Sequence, residues 1–170
     1  MNVAEYVAEY LEAIGCTHAF GVVGGANLLL FEALSRKMQV VSTHHEQAAA
    51  MAASYYYRTC GRLAPCVVTA GAGSANAITG VMAAYFDSIP LLVLSGNERS
   101  NFFGAPHNRS VGFQGFDPTT VVRTFTKEAV RLGDAEAVKF VLSDLCATAQ
   151  KPRQGPVWFD IPQDIAGAIV

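Results

Sequence analysis

The chain has 170 residues, of which 51% are hydrophobic and only 15% are charged, and its formal net charge is −2 at pH 7. This length is typical of one domain with its own core. The dispersed basic residues argue against a nucleic-acid partner, and no apolar run reaches the roughly 20 residues that span a membrane. Because ordinary domains carry about 25% charged residues, so few charges predict a surface partly covered by another subunit.

Helix and strand patterns alternate along the whole chain. Short apolar runs without polar alternation are typical of parallel strands that are buried on both faces. The predicted helices are 3–14 (capped by Asn2), 27–35, 46–59, about 74–86, 119–123 and 134–150, and the predicted strands are 17–23, 39–43, 65–70, 90–95, 126–132 and 156–161. This order predicts an α/β fold: a single three-layer domain with a six-stranded, mostly parallel sheet and helices on both faces.

A polar, irregular segment, residues 96–117, interrupts this alternation. It is rich in Gly, Asn, His and Phe, and connections of this length are usually functional. Its side chains His107, Asn108 and Gln114 are therefore candidates for facing a substrate.

Glu46 carries the clearest chemical signal. It follows an apolar, β-branched run and two histidines, it opens a helix rich in Ala and Met, and it is the only acidic residue between Glu32 and Asp87. A carboxylate in such apolar surroundings is expected to be partly desolvated, which suits it to exchanging protons. A purely structural interpretation stays open, because an acidic side chain also stabilises the positive N-terminus of a helix.

Two glycine-rich loops follow predicted strands, at the sheet edge where open α/β proteins bind ligands. They are Gly24-Gly25-Ala26-Asn27 and Gly71-Ala72-Gly73-Ser74-Ala75-Asn76. The second lacks the third glycine of the dinucleotide fingerprint, and no Gly-Lys-Ser/Thr phosphate loop follows it. Its glycines therefore either let a helix lie close to the sheet or let backbone approach a flat, uncharged ligand.

Six motifs occur in a fixed order along the chain. They are Phe20-Gly21-Val22-Val23-Gly24-Gly25, His45-Glu46-Gln47, Gly71 to Asn76, Asp87-Ser88-Ile89-Pro90, Gly112-Phe113-Gln114 and Gly155 to Pro162. Taken together they resemble the pyrimidine-binding (Pyr) domain of thiamine-diphosphate enzymes, within the acetolactate synthase and 2-oxo-acid decarboxylase group. The resemblance covers essentially all of residues 1–170, which are expected to form one Pyr domain.

The resemblance implies a role for each part of the site. Glu46 would hydrogen-bond N1′ of the cofactor's aminopyrimidine and promote the imino tautomer, which removes the C2 proton of the thiazolium. The implied cofactor-binding residues are Gly24, Gly25, Glu46, Gly71, Gly73 and Asn76, and the implied substrate-pocket residues are Asn27, His107 and Gln114. Val23 and Ala72 stand where the family often has proline, and Gly115 stands where it often has an acidic residue.

The resemblance also implies a partner. Enzymes of this family carry a diphosphate-binding (PP) domain, whose Gly-Asp-Gly and Asn-Asn motifs hold Mg²⁺ and the diphosphate, and neither motif occurs in this sequence. We therefore expect the Pyr subunit of a split enzyme, without PP or middle domain, that shares thiamine diphosphate with a PP-domain subunit in a heterodimer or α2β2 heterotetramer. The partner would bind Mg²⁺, and the helices beginning at Glu46 and near Ser74 would form much of the contact.

Several outcomes stay open. A 2-oxo acid would be decarboxylated through an enamine, which is then protonated to an aldehyde (a lyase) or joined to a second carbonyl (a carboligating transferase). A catalytically silent or regulatory Pyr-like module, a flavodoxin-like binding module and a piece of a longer enzyme are the alternatives. Four cysteines without metal-binding spacing and an N-terminus without a signal-peptide pattern predict buried free thiols and a cytoplasmic protein: Cys16, Cys60, Cys66 and Cys146.

Overall fold

The computed structural model describes residues 1–103 and 109–170. Within them one sheet contains six strands, and every strand pair is parallel. The strands are β1 (His18–Gly21), β2 (Gln39–Ser42), β3 (Pro65–Val68), β4 (Leu91–Asn97), β5 (Glu128–Arg131) and β6 (Pro156–Pro162), in the spatial order β2-β1-β3-β4-β6-β5. The predicted α/β fold class is confirmed.

Helices cover both faces of this sheet. They are α1 (Val3–Ala13), α2 (Leu28–Ser35), α3 (Glu46–Cys60), α4 (Ala72–Phe86), α5 (Pro118–Val122), α6 (Val138–Gln150) and α7 (Gln163–Ala166). One core cluster joins the sheet to α1, α2 and α6, and a second joins it to α3, α4 and α5. Successive strand residues point to opposite faces, so Phe159 enters the first cluster and Trp158 the second.

Local capping explains where the first and third helices begin and end. The Asn2 side chain accepts a hydrogen bond from the backbone N–H of Glu5, and the Glu5 carboxylate accepts one from the N–H of Asn2, each at 2.9 Å. This reciprocal arrangement satisfies two N–H groups that the helix cannot pair itself. At the other end of α3, Gly61 takes the left-handed conformation that stops helices.

Three predicted details differ from the structure. Helix α4 begins at Ala72, not near Ser74, because Gly71, with φ 66° and ψ −125°, turns the chain directly from the segment after β3 into the helix. Asp134 makes no side-chain cap: a short 3₁₀ turn, Ala135–Ala137, precedes α6. All four thiols are free, but Cys60, the last residue of α3, is exposed, whereas the other three are buried as predicted.

Helices α3 and α4 pack closely side by side. A Cβ at Gly80 would lie 2.6 Å from the Cβ of Ala50, so only glycine permits this approach. Helix α4 contains no charged residue, and large apolar side chains stay exposed on the pair: Tyr55, Met82 and Phe86. No helix within the described residues is both long and apolar enough to cross a membrane.

Candidate active site

Glu46 lies at the N-terminus of α3 and is buried, with only 8% of the residue exposed. Its carboxylate Oε2 accepts a hydrogen bond of 2.9 Å from Nδ2 of Asn76, which is 30 residues away in the sequence and lies in the second turn of α4. His45 caps α3 by accepting the N–H of Gln47 at Nδ1, at 3.2 Å. The fold therefore fixes one carboxylate between two helix N-termini.

Two glycines pack closely against Thr69, and one of them also lies beside this carboxylate. A Cβ at Gly73 would lie 3.2 Å from Oε1 of Glu46 and 2.7 Å from the methyl group of Thr69. A Cβ at Gly24, on the loop after β1, would lie 2.6 Å from the hydroxyl oxygen of the same Thr69. Gly24 and Gly73 thus both pack against Thr69, and Gly73 also lies beside Glu46. A Cβ at the neighbouring Gly25 would have no atom within 4 Å.

Thr69 is a site residue that sequence reasoning missed. Its hydroxyl oxygen is buried, and it is the one buried side-chain polar atom without a hydrogen-bond partner within residues 1–103 and 109–170. A buried hydroxyl without a partner is costly in a folded protein. The Thr69 hydroxyl is therefore a candidate for a hydrogen bond to a ligand at this site. The only signal in the sequence was its position directly after β3, two residues before Gly71.

Asn27 stabilises the Gly24-Gly25 loop from behind. Its Oδ1 accepts the N–H of Gly24 at 2.7 Å, and its Nδ2 donates to the carbonyl of Val22 at 3.0 Å. The residue is completely buried. The side chain that the sequence suggested for the substrate pocket therefore bonds to its own loop, because the turn leaves those backbone groups without other partners.

Gln114 lies at the tip of a short turn that contacts the start of α4. Val111 and Gly115 close this turn with a pair of backbone hydrogen bonds, each of 2.8 Å. The carbonyl oxygen of Gln114 lies so close to Gly71 that a Cβ at Gly71 would collide with it. The Gln114 side chain is exposed beside the pocket; His107, the other loop candidate, lies outside the described residues.

A chain of buried hydrogen bonds supports this turn from the sheet. The indole N–H of Trp158 donates to Ser95, and the Ser95 hydroxyl donates to Asp160, at 2.7 and 2.5 Å. Asn97 Nδ2 donates to both carboxylate oxygens of Asp160 and to the carbonyl of Phe116. The end of β4 is therefore fixed to the segment that carries Gln114.

Asp160 makes the stability of the fold depend on pH. Burial raises the pKa of its carboxyl from 3.8 to about 7, while the hydrogen bonds from Ser95 and Asn97 oppose the rise. Because the folded chain holds this proton more tightly than the unfolded chain, the stabilisation is complete below about pH 4 and is lost as the pH rises towards about 7.

We therefore expect the free energy of unfolding to fall with rising pH, relative to Asp160→Asn, by on the order of 4 kcal/mol at most between about pH 4 and 7. Urea unfolding of both proteins across this range measures the difference. Asp144→Asn, at an exposed position beside Lys151, is the control and should show no comparable trend. A difference between the wild type and Asp160→Asn that stays constant with pH would contradict this account.

Other chemistries find little support in the described residues. No group of three or more His, Cys, Asp or Glu side chains in them is placed to hold a metal ion. Burial raises the pKa of the Cys66 thiol, and the nearby charge of Glu46 adds to the rise. Such a thiol stays protonated and is a poor nucleophile. Glu46 remains the candidate acid–base group of this site.

Residues 1–120 match the family model described as "Thiamine pyrophosphate enzyme, N-terminal TPP binding domain". The chain belongs to this family. It is 33% identical over 168 residues, 98% of its length, to the acetolactate synthase isozyme 1 large subunit of Escherichia coli (strain K12). It is 36% identical over 163 residues, 95% of its length, to the acetolactate synthase large subunit of Haemophilus influenzae.

The chain spans 29% and 28% of those two relatives, less than a third of their length. The probable acetolactate synthase 2, chloroplastic, of Oryza sativa subsp. japonica is also 36% identical, and there the chain covers 24%. The predicted resemblance to the Pyr domain of thiamine-diphosphate enzymes is confirmed. The similarity covers this domain of the relatives, so it does not by itself give the activity of the whole protein.

The residues of the site fit the pyrimidine end of thiamine diphosphate. A flat ring with nitrogen acceptors needs a proton-exchanging carboxyl, a wall without side chains and polar contacts at its edge. Glu46, the glycine wall and the Thr69 hydroxyl are of these kinds. The larger concave surfaces do not coincide with this site: a cavity of about 400 Å³, for example, lies beside Tyr10, Gly61 and Cys146.

Proposed function

We propose that this chain is the Pyr domain of a thiamine-diphosphate-dependent enzyme that acts on a 2-oxo acid, with Glu46 as the residue that activates the cofactor. The observation that carries the proposal is the buried Glu46 carboxylate, which accepts a hydrogen bond from Asn76 and lies beside Gly73 at the N-termini of two helices. The similarity to acetolactate synthases favours carboligation to a second carbonyl over release of an aldehyde. Decarboxylation to an aldehyde is the second candidate.

Each residue of the site has a defined task in this proposal. Glu46 moves a proton to and from N1′ of the pyrimidine, and Asn76 orients its carboxylate by the bond to Oε2. Gly24, Gly25, Gly71 and Gly73 let backbone approach the ring closely. When bound, thiamine diphosphate supplies the carbon nucleophile and the electron sink for the decarboxylation.

The substrate would lie on the far side of the ring, near the segment that follows β4. Gln114 and His107 are the side chains we propose for this pocket, while Asn27 contributes through the loop that it stabilises. Gln114 is exposed at the tip of its turn and can therefore meet a ligand that approaches from the surface. Closing this pocket against water requires protein surface from elsewhere.

We propose that a PP-domain subunit completes the site. The sequence contains neither Gly-Asp-Gly nor Asn-Asn, and Mg²⁺ needs a set of oxygen ligands together with phosphate oxygens, so the partner would bind Mg²⁺ and the diphosphate. The uncharged α4 and the exposed Tyr55, Met82 and Phe86 support a large contact along α3 and α4. A cytoplasmic heterodimer or α2β2 heterotetramer is the assembly that we propose.

A reconstitution experiment tests this function. The purified 170-residue chain alone should neither bind thiamine diphosphate tightly nor consume a 2-oxo acid. Mixed with a PP-domain polypeptide that carries both motifs, together with Mg²⁺ and the cofactor, it should consume a 2-oxo acid. Chromatography of the products then separates an aldehyde from a carboligation product. Tight cofactor binding and turnover by the 170 residues alone would refute the shared site.

A further inference from the structure

Glu98 is a buried acidic residue that the proposed function leaves unexplained. It directly follows β4 and is only 9% exposed. Among the described residues, no Lys, Arg or His nitrogen lies within 4.0 Å of its carboxylate, since none of the salt bridges found there involves Glu98. Burying a carboxylate without a cation is costly, so its position calls for a specific role.

The Glu98 side chain fills the space beneath the 111–115 turn. A Cβ at Gly112, whose φ is 60°, would lie 2.7 Å from the carboxyl carbon of Glu98, and a Cβ at Gly115 would lie 2.7 Å from its Cγ. Both glycines on the inner side of the turn are thus matched to the shape of this one side chain. The outer side of the turn carries the exposed Phe113 and Gln114, and Phe113 is 96% exposed.

The same carboxylate bonds to the residue at the tip. The backbone N–H of Gln114 points to Oε1 of Glu98 across 3.4 Å, and the N–H of Glu98 donates to Oδ1 of Asn97 at 2.9 Å. Asn97 in turn bonds to Asp160 in the sheet. The Gln114 carbonyl lies against Gly71, the residue just before α4. Asn76, which donates a hydrogen bond to Glu46, lies on the same helix. Contacts therefore run without interruption from the sheet through Glu98 and Gln114 to the edge of the Glu46 pocket.

We propose that Glu98 is a positioning residue: its buried carboxylate holds the 111–115 turn so that Gln114 stays at the Gly71 edge of the Glu46 pocket, and this placement sets the affinity for the substrate. The part that concerns substrate rests on the function proposed above. The part that concerns the turn rests on the geometry of this chain alone. Because Phe113 and Gln114 are exposed, the turn has few other contacts that would fix its tip.

Hydrogen–deuterium exchange tests the structural part without any cofactor or substrate. In the 170-residue chain, Glu98→Ala should speed amide exchange in peptides spanning 109–117 by about tenfold, because the turn loses its charged acceptor and its packing. Peptides from α1 should exchange as in the wild type. Glu136→Ala, an exposed glutamate that pairs only with Lys139 on the surface, is the matched control and should change neither region.

Two results would overturn the structural part. One is exchange of 109–117 that stays within about twofold of the wild type after Glu98→Ala. The other is an equal acceleration in α1, which would make Glu98 a general core residue. If Glu98→Ala fails to fold, Glu98→Met, which keeps a side chain of similar length and removes both acceptor oxygens, replaces it and should still speed exchange of 109–117 selectively.

Steady-state kinetics of the complex with the PP-domain subunit test the catalytic part. Glu98→Ala should raise KM for the 2-oxo acid by about tenfold and leave kcat within about twofold, the pattern of lost substrate binding. In a Gln114→Ala background, Glu98→Ala should raise KM further by less than about twofold, because its effect on substrate binding acts through Gln114. Equal effects of Glu98→Ala in both backgrounds would refute this part. Full activity of Glu46→Gln would instead refute the proposed function and leave the exchange result standing.

Discussion

Replacing Glu46 with glutamine should lower kcat of the reconstituted enzyme by about 10²- to 10⁴-fold, the usual contribution of a positioned acid–base group. Glutamine has the same shape and can still accept the Asn76 N–H bond through its carbonyl oxygen, so the pocket keeps its form. It cannot, however, take up or release a proton at N1′. Initial rates of 2-oxo-acid consumption at saturating cofactor measure the effect.

Two comparisons show whether the loss comes from proton exchange. Glu46→Asp keeps a carboxyl group but moves it back by one methylene, and it should retain more activity than the glutamine variant. Glu32→Gln, at an exposed position on α2 beside Arg36, should leave kcat unchanged. A Glu46→Gln enzyme with wild-type kcat would show that the proposed mechanism is wrong, whatever its affinity for the cofactor.

Replacing Gly71 with alanine should destabilise the fold by about 2–5 kcal/mol, the sum of backbone strain and a steric collision. With φ 66° and ψ −125°, Gly71 occupies a conformation that residues with a Cβ avoid, and that Cβ would also collide with the Gln114 carbonyl. To relieve the collision, the 111–115 turn must move away from the pocket. The midpoint of urea unfolding reports the stability loss, and KM for the 2-oxo acid reports the movement.

Gly61→Ala is the matched control for backbone conformation. Gly61 also has a positive φ, 68°, but its ψ of 15° lies in the left-handed helical region, and nothing lies within 4 Å of its Cβ position. Its replacement should cost only about 1–2 kcal/mol and leave KM unchanged. Equal losses of stability in the two variants, with no change of KM in either, would mean that the contact between Gly71 and Gln114 has no functional weight.

The sequence predicted the elements well because their signals are local. Apolar runs separated by Gly, Pro and Asn revealed the positions of six strands along the chain, and Asn2 and Gly61 delimited their helices through hydrogen bonds to near neighbours. Boundaries that depend on one backbone angle were less accurate. Helix α4 starts at Ala72, before the expected Ser74, because a single positive φ at Gly71 suffices to change direction.

The site was predictable only in part. Glu46 stood out because it is a lone carboxylate in an apolar stretch, and the glycine loops stood out by composition. Asn27 and Gln114 were visible as polar residues in loops, but the sequence could not show that one side chain turns inward to its own loop while the other stays exposed. Thr69 and Glu98 were missed, because neither an orphaned hydroxyl nor a buried carboxylate has a local signature.

By itself, the sequence determined the α/β architecture and the Pyr-domain family, since both follow from residue types, their periodicity and the order of short motifs, and it predicted Glu46 as the acid–base residue. Only the tertiary structure decided which distant groups meet: Asn76 with Glu46, Thr69 between Gly24 and Gly73, and Glu98 beneath the Gln114 turn. These pairings are set by how strands and helices pack in space, and packing brings together residues whose separation along the chain carries no signal.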